Sequence, residues 1–496
     1  MSKSNCSSHC SPSADNCRTE EKTEATVPGH SKQNRIVLIS PYDLGRQPFA
    51  LAEPAALFGH AGYEVRNIDL SQQKLTAEDL ASAGIVFIYL SMLTATRIAI
   101  EAMPRIRQLA PQARIAVYGW YAPVNEALLR ELGVDAVFGG ESEEDMLAYA
   151  QSITQQDAHP AQEAAVVTLQ RINFRVPDRH ALPPLGNYAQ LVLADGSQRT
   201  MGFTETTRGC KHLCRHCPVV PVYHGRFYGI PQDIVVEDIR QQVAAGAQHI
   251  SFGDPDFLNG PGHAKRIIKT MHEEFPELTY DAVIKIEHLL KHRDLLPYLR
   301  DTGCILVTTA VESVDNTILE HLDKGHTAEQ FEEVVKLMRE HEIALAPTFI
   351  PFTPWTTISN YLELLNKIAE LKLIMSVNPV QLSLRLLIPS GSRLLELPAD
   401  ETCITNFDPA ALGYTWVHKD PQVEALQQKI RLWTEEAEQQ GLPRLEIFNG
   451  IRRIALAAAG RQDSDVTEEQ CGLPVPVHSE SWYCCAEPTE QQLASF

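Results

Sequence analysis

From Arg35 onward, short runs of apolar residues alternate with stretches of helical periodicity. The apolar runs fall at 35–40 (RIVLIS), 64–70 (EVRNIDL), 84–90 (GIVFIYL), 114–119 (RIAVYG) and 135–140 (DAVFGG). Unbroken aliphatic runs of this length suit strands buried on both faces, and the stretches near 49–61, 96–109 and 122–132 have the length of crossover helices. The pattern predicts a parallel sheet with helices on both sides, a Rossmann-like domain over residues 34–153. Residues 154–200 lose the alternation, with Pro160, Pro177, Pro183 and Pro184, and Asp195-Gly196 predicts a hairpin in an otherwise linking segment. A second series follows over 201–395. Its strands are expected near 248–254, 278–284, 304–312, 344–351 and 380–388, and its helices near 235–245, 263–274, 328–341 and 359–371. That repeat predicts a (β/α) barrel with its chemistry at the C-terminal strand ends, so the fold class is α/β. Residues 396–496 are mixed, with one amphipathic helix around 421–440.

Residues 1–33 are rich in Ser, Thr, Asn and Glu and carry almost no large apolar side chain. Such a segment cannot repay the entropy of ordering, so a disordered tail is expected there. The remainder has ordinary globular composition: of 496 residues 44% are apolar and 21% charged, with a formal charge of −20. An acidic surface offers no field for a polyanion, which argues against nucleic acid or anionic lipid as partners. The longest apolar runs are far below a membrane span and the first twenty residues hold no apolar core of a signal peptide, so a cytoplasmic protein is expected. Eleven cysteines form no dense disulfide framework. In a reducing compartment, clustered thiols more often mean metal or redox chemistry.

The sharpest cluster is Thr206-Thr207-Arg208-Gly209-Cys210-Lys211-His212-Leu213-Cys214-Arg215-His216-Cys217-Pro218, a C-x3-C-x2-C loop at the head of the second series. Three thiolates from one loop can hold three irons of a cubane and leave the fourth iron open to bind and reduce something. A ferredoxin-type carrier asks for a fourth Cys. A zinc knuckle would need His212 or His216 as its fourth ligand, and that reading stays open here. In the tail, Cys6-x3-Cys10 repeats half of the motif but has Ser13 at the third position. Cys6, Cys10 and Cys17 therefore read as tail thiols, with metal scavenging as the alternative.

The cysteine spacing, its place before a (β/α) repeat and the preceding Arg208-Gly209 resemble the radical S-adenosylmethionine (SAM) superfamily. The resemblance implies a [4Fe–4S] cluster on Cys210, Cys214 and Cys217, SAM chelated at the open iron, and an external electron donor. It places His216 where the superfamily has an aromatic residue near adenine. Asp254 and Asp256, in Ser251-Phe252-Gly253-Asp254-Pro255-Asp256, stand where the superfamily sets groups against the SAM amino group. Glu312-Ser313 ends a strand near the expected ribose and methionine part, and Arg385 is implied as a partner of the SAM carboxylate. For each residue outside the cysteines, a helix cap or surface ion pair is the competing reading.

Residues 34–153 are similar to the cobalamin-binding-type domain that precedes many radical SAM barrels, down to Gly139-Gly140-Glu141. The axial-histidine signature of such domains has no match there. Asp157-Ala158-His159 lies beyond the domain and lacks the following Gly, so cobalamin is admitted only without that ligand, with a scaffolding role as the alternative. Near the C-terminus, Trp482-Tyr483-Cys484-Cys485-Ala486-Glu487-Pro488 resembles the CUAEP/CCAEP-tail radical SAM family, as does Asp43-Leu44-Gly45-Arg46-Gln47-Pro48. Selenocysteine at the position of Cys485 in that family implies side-chain chemistry. The family is similar to radical SAM proteins of arsinothricin biosynthesis. This implies transfer of the 3-amino-3-carboxypropyl group of SAM to trivalent arsenic, or arsenite, held by Cys484, Cys485 and Cys471. A redox or merely packed thiol pair is the plain alternative for the tail. For the whole chain, the alternatives are a cobalamin-assisted methyltransferase and a non-catalytic iron–sulfur redox sensor.

Overall fold

The computed structural model describes residues 34–154, 162 and 164–480. The segment 1–33, Asp157-Ala158-His159 and the Cys484-Cys485 pair lie outside the described residues. The N-terminal unit is a six-stranded parallel sheet of β1 (Arg35–Ser40), β2 (Glu64–Asp69), β3 (Ile85–Tyr89), β4 (Arg114–Tyr118), β5 (Ala136–Gly140) and β6 (Val166–Thr168). Its order is β2-β1-β3-β4-β5-β6, so the chain reverses its direction of winding between β1 and β3. Crevices for ligands open at such a switch, outside the carboxyl ends of the strands. Val37, Ile39, Val86 and Ile88 face the helix Leu93–Leu109 side, whereas Ile36, Leu38 and Phe87 face Phe49–His60. Two-sided burial explains why these strands read as continuous apolar runs. Two expectations change here. The stretch expected to link the units contributes β6, and the helix expected over 122–132 breaks at Asn125 into Tyr121–Val124 and Glu126–Glu131, where the Asn125 amide donates to the Tyr121 carbonyl at 2.9 Å.

The second sheet opens with the expected hairpin, β7 (Gln190–Val192) and β8 (Gln198–Thr204). After a small ribbon of β9 (Thr207–Gly209) and β10 (Phe227–Gly229) come β11 (His249–Phe252), β12 (Thr279–Val283), β13 (Cys304–Glu312) and β14 (Ala344–Phe349). β8 and β11 to β14 run parallel. The expected strand over 380–388 does not form. Residues 379–383 make a 3-10 turn, and only Arg385 bridges to Phe352. Side chains have taken the carbonyls that a strand would have used: Tyr361 Oη donates to Leu382 at 2.8 Å and Gln427 Nε2 to Ser383 at 3.0 Å.

The barrel is therefore a curled half-barrel. Its open flank carries the C-terminal helices Pro421–Gln439 and Arg444–Ala458, after the small hairpin β15 (Ile404–Asp408) and β16 (Gly413–Trp416). β17 (Val477–His478) then pairs antiparallel with β7 and completes the seven-strand order β14-β13-β12-β11-β8-β7-β17. The outer helices follow from period and caps. In Ala328–Glu340, Phe331, Val334, Val335 and Met338 are buried, and Thr327 with Gln330 forms a capping box. The two units are fastened by Arg179, whose guanidinium donates to Asp238 at 2.6 Å, Gln47 at 2.8 Å and the Phe203 carbonyl at 2.7 Å. No helix among the described residues is long and apolar enough to cross a membrane.

Candidate functional site

The cysteine loop leaves β8 and is closed at its base by the β9–β10 ladder, in which Arg208 pairs with Tyr228 and Gly209 with Phe227. Gly209 holds φ at +74°, and a Cβ there would sit 2.4 Å from the Tyr223 ring and 2.5 Å from the Arg226 carbonyl. Only glycine lets the chain turn into Cys210 this close to its neighbours. Asp254, after β11, fastens the ladder from behind. It accepts from Thr206 N at 3.0 Å, Thr206 Oγ1 at 2.7 Å and Thr207 Oγ1 at 2.6 Å. Burial pushes its carboxyl up to about 6 against those hydrogen bonds. The residue expected to meet a ligand amine thus spends its oxygens on positioning the loop.

Cys210 and Cys214 are buried and Cys217 is half-buried; burial pushes the Cys210 thiol up to about 11 and Cys217 to about 12. Two buried lysines stand ready to offset thiolate charge. Lys285 Nζ is 3.6 Å from Cys214 Sγ, and Lys324 Nζ, whose field reaches Cys214 and Cys217, is 3.2 Å from Glu312. Among the described residues the only His, Cys, Asp and Glu group close enough for one ion is His212, Asp256 and His288, so the three sulfurs do not all lie within 4.8 Å of one another. A single zinc with thiolates at about 2.3 Å would draw them to about 3.8 Å apart. His212 and His216 turn to Asp256 at 3.5 Å and to Glu312 at 3.4 Å.

Glu312 ends β13 where the register with β14 shifts, and its backbone lies at φ +70°, a strained conformation for a non-glycine residue. Burial favours its neutral form, but Lys324 and His216 beside it hold the carboxyl down to about 2. His216 Nε2 lies 3.4 Å from Glu312 Oε1, and its Nδ1 is buried without a partner. The structure brings together Cys210, Cys214, Cys217, His216, Glu312, Asp254 and Asp256. Ser313 lies beside Glu312 and accepts from Asp315 N at 3.1 Å.

Two expected residues are placed elsewhere. Arg385 forms a two-pronged pair with Glu424 at 2.6 and 2.9 Å and stacks over Trp416, so its guanidinium is committed to the C-terminal helix and not to a ligand carboxylate. Cys471 packs in the main core, and its carbonyl accepts from Met375 N at 3.2 Å. Its neighbour Gly472 lines a groove with Ile343 and Ala344 at the start of β14. That is the amino end of the barrel, opposite the cysteine loop, so Cys471 cannot join a thiol set at the strand tops.

Sequence reasoning missed the lysines and a buried charge cluster. Arg208, two residues before Cys210, is ringed by Glu143 at hydrogen-bond contact, Glu205 at 3.3 Å, Glu141 at 3.8 Å and Glu53 at 4.0 Å. Three of these acids come from the N-terminal unit, which thereby reads the position of the cysteine loop. Burial pushes Glu141 up to about 7 and Glu205 to about 8, against the attraction of Arg208. Lys285 was findable as a cation just past a strand end; the acids were not, because they converge only through interdomain packing.

The half-barrel lumen holds a cavity of about 160 Å³ lined by Arg46, Asp281, Thr308, Thr348, Gln381 and His478. Asp281 is held by His249 at 2.8 Å and by His478 of β17 at 3.0 Å. The chain continues upward to Glu480, which accepts from Tyr42 Oη at 2.6 Å. At the switch of the N-terminal sheet, the side-chain polar atoms of Ser40, Asn67 and Ser91 are buried without partners. The only histidine of residues 34–153, His60, lies at the exposed far end of its helix.

Comparison with known proteins places this geometry. Residues 204–368 match the radical SAM superfamily model. The chain is 25% identical over 198 residues to the tRNA-2-methylthio-N(6)-dimethylallyladenosine synthase of Fusobacterium nucleatum, covering 35% of this chain and 42% of that one. It is 22% identical over 298 residues to the threonylcarbamoyladenosine tRNA methylthiotransferase MtaB of Aquifex aeolicus, covering 57% and 64%. The chain thus spans less than two thirds of either relative. Among solved structures, the radical SAM methyltransferase TsrM of Kitasatospora setae, with cobalamin and a [4Fe-4S] cluster bound, superposes with a TM-score of 0.56 at 18% identity, covering 73% of this chain and 74% of that one. The cobalamin-dependent SAM radical enzyme OxsB superposes with a TM-score of 0.63 at 14% identity, covering 82% and 67%. At these identities the likeness speaks to the fold.

Proposed function

Residues 204–368 being a radical SAM domain, we propose that this chain is a transferase that joins a SAM-derived carbon to an acceptor presented by its own C-terminal tail. Cys210, Cys214 and Cys217 would hold a [4Fe–4S] cluster, which when bound would supply the electron that breaks a sulfur–carbon bond of SAM. Lys285 and Lys324 would offset its negative charge, and Arg208 with Asp254 sets the loop. Glu312 and His216 lie at the strand tops, where a bound nucleoside would meet them.

The observation that carries this reading is the path of the tail. It rises from Cys471 at the amino end of the barrel, runs along the open flank as β17, and reaches the N-terminal unit at Glu480 and Tyr42. Cys484 follows Glu480 by four residues in the sequence. A pair of thiols suits a thiophilic centre, and the group transferred is then 3-amino-3-carboxypropyl, with arsenite as the acceptor. Near-attack placement of that acceptor is what the tail contributes.

A second reading, cobalamin-assisted methyl transfer, is favoured by the orphaned side-chain groups of Ser40, Asn67 and Ser91. These groups at the sheet switch would hold the amide-rich rim of a corrinoid, which when bound would supply a methyl group. One reduced reaction separates the readings. With arsenite, 5'-methylthioadenosine supports aminocarboxypropyl transfer, whereas S-adenosylhomocysteine with corrinoid in the isolated protein supports methyl transfer. Uncleaved SAM leaves only an iron–sulfur sensor.

A further inference from the structure

Next to the three thiols lies a second donor set that they do not use. His212 sits inside the cysteine loop, Asp256 follows β11, and His288 belongs to the helix Ile286–Lys291 after β12. One ligand atom from each lies within 4.8 Å of the others. His212 Nε2 is 3.5 Å from Asp256 Oδ2, which is 2.8 Å from His288 Nδ1. Asp256 and His288 have no exposed surface. Asp256 Oδ1 accepts from Leu258 N at 3.1 Å, but Oδ2 has no aligned donor, and neither has His288 Nδ1 an aligned acceptor. The two atoms attract one another at 2.8 Å but not along a hydrogen-bond direction. An ion between them would give each a directed partner.

The spacing agrees with an ion. Ligands about 2.0–2.2 Å from a tetrahedral centre stand about 3.3–3.6 Å apart, which the His212 pair matches and the closer His288 pair approaches. The other ring nitrogen of His212, Nδ1, lies 3.5 Å from Glu287 Oε2, a carboxylate placed to orient a ligating imidazole. We propose that His212, Asp256 and His288 bind one divalent transition-metal ion of the zinc or ferrous class, separate from the iron–sulfur cluster. Two imidazoles and a carboxylate are the borderline donors such ions take, and they leave coordination positions open. The ion staples three segments, the cysteine loop and the chain after β11 and after β12.

Metal analysis of the full chain tests this, with the cluster reconstituted anaerobically and the protein then exposed to one equivalent of Zn²⁺ and desalted. The expected result is one zinc per chain beside the cluster iron, with zinc affinity falling about 100-fold or more in His212→Gln and in His288→Gln. His212 lies at the rim, so its variant decides the matter if His288→Gln does not fold. A second arm uses Co²⁺ with a chain in which Cys210, Cys214 and Cys217 and the tail thiols Cys6, Cys10, Cys17, Cys484 and Cys485 are replaced by Ala. Weak d–d bands without a sulfur-to-metal charge-transfer band are expected, and they should disappear on adding His212→Gln. Zinc that fails to bind, zinc retained at full affinity in both histidine variants, or a thiolate charge-transfer band that survives them overturns the proposal. The radical SAM reading stands or falls separately, on cluster iron and SAM cleavage.

Discussion

His478→Ala should free the strap that carries the tail. Residues 476–480 are held by few contacts: two ladder positions, Val477 on Val192 and His478 on Leu191, two bonds between Ser479 and Gln190 (Ser479 N to the Gln190 carbonyl at 2.8 Å and Gln190 N to Ser479 Oγ at 2.9 Å), and the Glu480 to Tyr42 bond. To these His478 adds its pair with Asp281. Burial opposes the Asp281 charge, yet His478 and His249 hold its carboxyl well below the usual carboxylate range, so it stays ionised at neutral pH. Deleting the His478 imidazole does not strand that charge, because His249 at 2.8 Å and Ser251 at 3.1 Å still serve it. The loss is then one charge-assisted hydrogen bond, about 2 kcal/mol, and not the 3–5 kcal/mol of a fully orphaned buried ion. Two kcal/mol is about 30-fold in a local opening constant. Native-state hydrogen exchange on peptides covering 475–480 should show that loss of protection, while β13 exchanges as before. Protection unchanged at 475–480, or lost equally across the barrel, would refute the strap as an independently anchored segment.

Replacing any one of Cys210, Cys214 or Cys217 by Ala should remove the cluster, read as iron and sulfide after anaerobic reconstitution; full occupancy in all three variants would sink the ligand assignment. Gly209→Ala forces a Cβ to within 2.4 Å of the Tyr223 ring at positive φ and should cost about 1–3 kcal/mol, with reduced iron retention in gel filtration. Glu205, pushed up to about 8 by burial, binds its proton in the folded state but not in the unfolded state between pH 4.5 and 8. Its contribution is therefore complete below pH 4.5 and lost as pH rises through 8, with a slope of at most about 1.36 kcal/mol per pH unit. Since the Glu205 side chain keeps 17% of its exposure, the observed slope should fall below that ceiling, and denaturation of Glu205→Gln at pH 5.5 and 7.5 should show it flattened. Cys484→Ala with Cys485→Ala should keep cluster and SAM binding but yield no transfer product by mass spectrometry; normal turnover would remove the tail from the acceptor site.

Much of this molecule could be read along the chain. Unbroken apolar runs such as RIVLIS and the periodic helices between them carry both α/β units, because burial on two faces and on one stripe leaves a local imprint. Cys210, Cys214 and Cys217 sit within eight residues, so their grouping was legible too. The tertiary structure decided what depends on partners far away in the chain. The apolar stretch 380–388 looked like a strand, but Tyr361 and Gln427 took its carbonyls and the barrel stayed open. Arg385 looked available until Glu424, 39 residues on, claimed it. Cys471 shared a chemistry with the tail thiols but is buried at the other end of the barrel. The ring of acids around Arg208, the lysines beside the thiols and the union of His212, Asp256 and His288 each join side chains from separate segments. Local periodicity reports which face of an element is buried, whereas the partner of a buried charge is set by how elements from distant parts of the chain are packed together.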